Sequence, residues 1–193
     1  MPAASPARTN TSSTAPALYD LTIYRTFDAP RALVFEAFSN PEHAKQWMGP
    51  RGFTATHFEQ DARPGGKWRA CLHQTGESAA ACSARGPGQG QTYPDLWQGG
   101  VFKEIVPPER IVYTFAWEGQ GGQPTRETLI TITFTELDDG KTQMDFHQAF
   151  FDSIGQRDGH NHGWNSTFDR LNDYIKENLQ TFFKEAPEPR AKS

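Results

Sequence analysis

The chain has 193 residues and a mass of 21.6 kDa, which is the size of one domain with its own hydrophobic core. Its net charge of −4, from 19 Lys and Arg against 23 Asp and Glu, offers no basic field to a phosphate backbone, so a nucleic-acid partner is not expected. No apolar run approaches the roughly 18 residues that a bilayer span needs.

The two ends of the chain differ in composition from its middle. Residues 1–17 are rich in Pro, Ala, Ser and Thr with a single charge, which predicts a disordered tail rather than a signal peptide. The proline-containing stretch 184–193 predicts a second disordered tail, so one domain is expected over residues 18–183. Two cysteines, Cys71 and Cys82, are too few for a disulfide-stapled secreted fold, and we expect two unbonded thiols and a cytoplasmic location.

The domain begins with a strand followed by two short helices. Apolar and polar residues alternate from Leu21 to Phe27, which predicts a strand. Asp28-Ala29-Pro30 then opens a helix, with Asp28 or Ala29 at the cap and the proline in the first turn. A second short helix begins at Asn40-Pro41-Glu42, runs to Trp47-Met48 and is stopped by Gly49-Pro50.

The middle of the chain is rich in β-strand signals. Short turns separate the strands, which favours antiparallel neighbours over a parallel sheet. Residues 76–92 are poor in large apolar side chains and predict a flexible loop whose role the sequence does not assign. The candidate strands are Phe53 to Ala62, Lys67 to Gln74, Leu96 to Val106, Ile111 to Trp117, Thr128 to Glu136 and Thr142 to Phe150.

The last element is a long amphipathic helix. Ser153 to Gln156 has the form of a capping box, and large apolar residues recur at helical spacing from Trp164 to Leu179, so the helix is predicted to reach about Gln180. Two glycines one turn apart, Gly159 and Gly163, cost helix stability, which indicates either close approach of the backbone to the sheet or space for something else. The elements predict an α+β fold, a curved antiparallel sheet of about six or seven strands around this helix.

Several separated motifs resemble the family of activator-of-heat-shock-protein-90-ATPase homologues, within the START-like superfamily that includes polyketide cyclases and birch-pollen-type allergens. The resemblance covers about Leu18 to Leu179 and implies a helix-grip fold with a cavity between the sheet and the long helix. The motifs are Phe27-Asp28-Ala29-Pro30 with Val34-Phe35, Asn40-Pro41-Glu42-His43 through Trp47-Met48-Gly49-Pro50, Gly65-Gly66-Lys67-Trp68, Glu104-Ile105-Val106-Pro107-Pro108-Glu109-Arg110-Ile111, and Gly163-Trp164 with Leu171.

One face of the predicted sheet is rich in aromatic residues, and this face and the long helix supply the candidate binding residues. Aromatic side chains bind apolar ligands by desolvation and stacking, and two asparagines beside Trp164 could anchor a polar group. The alternative interpretation is that the same rings fill a solid core. The candidates are Trp47, Met48, Trp68, Phe115, Trp117, Phe134, Phe146, Asn161, Trp164, Asn165 and Phe168.

No catalytic, metal or cofactor site is assigned. The titratable residues on strands, namely His73, Glu104, Asp145 and His147, show no pairing that marks acid–base chemistry. His160 and His162 are two residues apart, so on a helix they diverge by roughly 200° and do not chelate together. We interpret these histidines as solvent-facing or singly hydrogen-bonded.

Three functions remain compatible with the sequence. The first is binding of a small hydrophobic or aromatic molecule in the cavity, with no cofactor. The second is a cyclase- or hydrolase-like enzyme that uses the same cavity. The third is an interaction module for a chaperone or another protein. The eukaryotic co-chaperone of the resembled family has an N-terminal chaperone-binding domain, whereas residues 1–17 of this sequence predict only a disordered tail.

Overall fold

The described part of the chain forms one seven-stranded sheet and three helices. The computed structural model describes residues 19–75, 95–119 and 122–185. The elements in chain order are β1 (Tyr19–Phe27), α1 (Arg31–Ser39), α2 (Pro41–Trp47), β2 (Phe53–Gln60), β3 (Lys67–Gln74), β4 (Leu96–Val106), β5 (Arg110–Trp117), β6 (Thr128–Glu136), β7 (Thr142–Phe151) and α3 (Ile154–Glu185).

The sheet is antiparallel throughout, in the order β1-β7-β6-β5-β4-β3-β2. Strands β2 to β7 follow one another as neighbours, and β1 pairs with β7 at the far edge. The helix α3 packs its apolar stripe on the sheet, with Phe168, Leu171 and Ile175 at most 1% exposed. The predicted α+β helix-grip fold is confirmed. Within the described ranges, no helix combines the length and the apolar character that a membrane crossing requires.

Local signals explain where the helices begin. The Asn40 side chain accepts a hydrogen bond from the backbone N–H of Glu42 at 3.0 Å, as expected of a cap before α2. At α3, Ser153 Oγ accepts from the Gln156 N–H at 3.2 Å. The cap of α1 was placed wrongly: Pro30 itself holds the cap position and no side chain caps it, because an extended proline can precede the first turn without losing a hydrogen bond.

Some boundaries differ from the predicted ones. The helix α3 continues to Glu185 rather than to about Gln180, so residues 184 and 185 of the predicted tail are helical. The strand β2 ends at Gln60, before Ala62, because the backbone N–H of Asp61 already closes the turn by donating to the Lys67 carbonyl. The predicted tail 1–17, the remainder of the second tail and the predicted loop 76–92 lie outside the described residues.

The structure describes one of the two cysteines. Cys71 is buried in β3, and burial raises the pKa of its thiol. Cys82 lies outside the described residues, so the absence of a bond between the two cysteines stays a prediction.

Candidate functional site

A cavity of about 410 Å³ opens between the first half of α3 and the sheet. Its walls come from residues 48–51 between α2 and β2, from the start of β2, from β3, β4 and β5, and from residues 159–167 of α3. Most of the wall is apolar or aromatic. The helix crosses the sheet at this point without filling the space beneath it, which leaves room for a small molecule.

Four of the predicted site residues line this cavity: Met48, Phe115, Trp117 and Trp164. The rings of Phe115 and Trp117 meet edge to face, with their centroids 5.2 Å apart. The centroids of Phe115 and Trp164 are 6.1 Å apart, across the gap between sheet and helix. These rings therefore give the cavity aromatic surface on two sides.

The other predicted rings do not line the cavity, because they are packed on all sides. Trp47, Phe134, Phe146 and Phe168 are at most 1% exposed. Trp47 donates its Nε1–H to the Ala37 carbonyl at 3.0 Å, and this bond locks the ring between α1 and α2. Here the alternative of a solid core holds.

Trp68 and the two asparagines also lie away from the cavity. Trp68 donates its Nε1–H to the Thr114 carbonyl at 3.0 Å and is 4% exposed. Asn165 Oδ1 accepts from Arg25 Nη2 at 2.6 Å, and its Nδ2 donates to Asn161 Oδ1 at 2.9 Å. The asparagines thus tie the helix to β1 instead of anchoring a group in the cavity.

A chain of hydrogen bonds runs under the aromatic wall. Trp117 Nε1–H donates to His160 Nε2 at 3.1 Å, and His160 Nδ1 lies 3.2 Å from Gln148 Oε1. The same Gln148 oxygen accepts from Trp164 Nε1–H at 2.8 Å, and Gln148 Nε2 donates to Thr128 Oγ1 at 2.8 Å. Because an indole N–H only donates, His160 Nε2 must be the acceptor and Nδ1 must carry the proton.

The His160 side chain in this network is neutral. Burial lowers the pKa of His160 from 6.5 to about 4, so its ring is uncharged near neutral pH. The interpretation of His160 as solvent-facing or singly hydrogen-bonded was wrong. Sequence reasoning also missed Gln148, although the alternation of β7 places it on the inward face with Met144 and Phe146.

The pH dependence of folding should report on His160. Its folded pKa lies below the unfolded value of 6.5, so between about pH 6.5 and pH 4 the unfolded chain takes up a proton that the folded chain does not. Stability should therefore fall as the pH falls through this window, and His160 should account for about 2–3 kcal/mol of the loss. In urea unfolding, His160→Gln should lose less stability than wild type on acidification, and parallel pH profiles would contradict this.

One wall of the cavity is held in place by Arg170, which sequence reasoning did not single out. Its guanidinium donates from Nη1 to the carbonyls of Gly49 at 2.8 Å and Phe53 at 2.9 Å, and from Nη2 to that of Gln46 at 3.1 Å. A longer bond of 3.3 Å reaches the Met48 carbonyl. One side chain of α3 thus fixes the backbone between α2 and β2, and burial lowers its pKa.

Two of the three glycines of α3 border the cavity. Gly159 and Gly163 both line it, and a Cβ built on either would meet no atom within 4 Å. Close approach of the helix backbone to the sheet is therefore wrong as the explanation for these glycines. The open space beside both residues agrees with the alternative, that they leave room for something else.

The titratable residues singled out on the strands lie elsewhere. His147 Nε2 is 3.3 Å from Asp20 on the outer face, and His73 Nδ1 is 3.1 Å from Asp95. Glu104 pairs with Arg110, and Asp145 accepts from Gln143. None of the four singled-out residues lines the cavity. His162 does reach its edge but is exposed.

Comparison with known proteins gives one family. A model described as Activator of Hsp90 ATPase homolog 1-like protein matches residues 28–176. No protein of curated function matches the chain. A crystal structure of a protein from Chromobacterium violaceum is 26% identical, with a TM-score of 0.65, over 81% of this chain and 96% of that one.

Two further structures show the same fold at lower identity. One, described as the AHSA1 protein of Silicibacter pomeroyi, is 18% identical, with a TM-score of 0.67, over 83% of this chain and 99% of that one. The other, from Rhizobium leguminosarum, is 24% identical, with a TM-score of 0.64, over 83% and 96% of the two chains.

Proposed function

The chain belongs to the Activator of Hsp90 ATPase homolog 1-like family, and from this membership and the cavity we propose that it binds a small hydrophobic or aromatic molecule between the sheet and α3. The observation that carries the proposal is a cavity of about 410 Å³ with Phe115, Trp117 and Trp164 in its walls. Concave, mostly apolar sites of this size are typical of small-molecule binding.

Two further features support a binding role. Gly159 and Gly163 keep space open at a cost of roughly 1 kcal/mol each in helix propensity relative to alanine. The hydrogen bonds of His160 and Gln148 hold two of the cavity's aromatic rings, Trp117 and Trp164, in place before any ligand arrives. A pre-formed aromatic wall loses little conformational entropy on binding.

The enzyme alternative finds little support in the cavity wall. Among the described residues that line it, the titratable ones are Arg51, His160 and His162. Both ring nitrogens of His160 are engaged with other side chains, and Arg51 pairs with Asp173 at 2.6 Å. A general acid or base needs a free position within reach of its substrate, and His160 offers none.

The proposal is tested by equilibrium dialysis of the purified protein against 2-naphthol. We expect saturable binding of one molecule per chain at concentrations below about 1 mM, an affinity within reach of a ligand of this size. Unchanged partitioning between the two compartments at millimolar 2-naphthol would overturn the proposal. Dialysis avoids the overlap between naphthol and tryptophan fluorescence.

A further inference from the structure

One polar side chain of the cavity wall forms no hydrogen bond with the described part of the protein. Gln98 lies in β4, directly opposite Trp117 of β5 and Ala70 of β3. It is 3% exposed and lines the cavity. An amide in this position faces the space that a ligand would occupy.

The Gln98 amide forms no hydrogen bond with the residues that the structure describes, and its atoms are open to the cavity and not enclosed by protein. Gln148, the other buried glutamine on the inner face, uses its amide in three hydrogen bonds. Buried amides are normally paired, because an unpaired one carries its full desolvation penalty. Gln98 therefore keeps one acceptor oxygen and two donor hydrogens available to the cavity.

The surroundings of Gln98 decide what can pair with it. Its neighbours on the wall are apolar or aromatic, and burial keeps His160 neutral. Arg51 lies at the mouth, with its side chain 63% exposed and paired with Asp173. A charged group beside Gln98 would thus be desolvated without a counterion, whereas a hydroxyl, carbonyl or amide would regain a hydrogen bond.

We propose that Gln98 determines the specificity of the cavity, by selecting neutral aromatic molecules that carry one hydrogen-bonding group, such as a hydroxyl, a carbonyl or an amide. The proposal rests on the proposed function and deepens it. An aromatic hydrocarbon would displace water from the Gln98 amide and form no hydrogen bond in its place. A phenol of similar size can both donate to it and accept from it.

The wild-type protein is tested with three ligands of one ring system. Equilibrium dialysis at about pH 7 against naphthalene, 2-naphthol and 2-naphthoate compares no polar group, a neutral one and a charged one. We expect 2-naphthol to bind most tightly and 2-naphthoate about tenfold or more weakly than 2-naphthol. If naphthalene or 2-naphthoate binds as tightly as 2-naphthol, Gln98 does not select for the hydroxyl and the proposal fails.

The variant Gln98→Met removes the amide and keeps a side chain of similar length. The ratio of 2-naphthol to naphthalene affinity should fall by about tenfold, the worth of one buried hydrogen bond. Gln143→Met, on the outer face where Gln143 donates to Asp145, is the matched control and should leave the ratio unchanged. An unchanged ratio in Gln98→Met would overturn the proposal.

Two outcomes separate this proposal from the proposed function. Equal binding of naphthalene and 2-naphthol by wild type would overturn the role of Gln98 and leave the binding function in place. Binding of none of the three ligands would overturn both. If Gln98→Met does not fold, the same affinity ratio is measured for Gln98→Leu, and the wild-type ligand series tests the proposal independently.

Discussion

Replacing Arg170 by alanine should lower the free energy of unfolding by about 3–5 kcal/mol, because the change leaves several backbone carbonyls without a donor. Arg170 donates to carbonyls of Gln46, Gly49 and Phe53 at 3.1 Å or less, and these bonds fix the end of α2 and the start of β2. The measurement is urea unfolding followed by circular dichroism at constant m-value.

A matched control lies beside it. Arg51→Ala removes an exposed ion pair with Asp173 and should cost less than about 1 kcal/mol. Arg170→Lys keeps the charge but cannot reach three carbonyls with a planar fork, so it should recover only part of the loss. Equal, small effects of Arg170→Ala and Arg51→Ala would show that Arg170 does not hold this wall of the cavity.

Phe168→Ala should cost about 3–5 kcal/mol, the range for deleting a fully packed ring. Phe168 is 0% exposed and stacks on Trp164, with their centroids 5.5 Å apart and their planes at 19°. Trp164→Ala removes a larger ring and its hydrogen bond to Gln148. It should still cost only about 2–3 kcal/mol, because one side of Trp164 faces the cavity and loses no packing, and Gln148 Oε1 keeps His160 as a donor.

The check is to compare the free energies of unfolding of the two variants in one series of urea titrations. If Trp164→Ala costs clearly more than Phe168→Ala, the space beside Trp164 is filled in solution and the helix lies on an ordinary core. That result would count against an open cavity.

The strands could be predicted closely because each is bounded by its own turn signal. Lys67–Gln74, Leu96–Val106 and Thr128–Glu136 agree to the residue. Asp145 and His147 alternate with the buried Met144 and Phe146 along β7, and their pairs with Gln143 and Asp20 lie on the outer face. Local patterns are enough for these features, since each depends on a few neighbouring residues.

The cavity could be predicted only in part, because its limits depend on distances between elements. Trp164 and Phe168 follow the same helical pattern, yet one borders the cavity and the other is enclosed. Gln98 stands before Gly99 and Gly100, where β4 loses its regular alternation. The partners of Arg170 are backbone carbonyls, which have no residue signature. The limits of the cavity, the position of Gln98 and the partners of Arg170 all depend on how the elements pack in three dimensions.

The most direct test is a substitution on α3 that fills the cavity with a larger side chain. Gly163 lines the cavity and Gly155 does not, and a Cβ at either would meet open space. We expect Gly163→Leu to be at least as stable as wild type, since a helical glycine costs roughly 1 kcal/mol, and to lose 2-naphthol binding in equilibrium dialysis. Gly155→Leu should bind as wild type does. Full 2-naphthol binding by a folded Gly163→Leu protein would contradict the placement of the ligand between the sheet and α3.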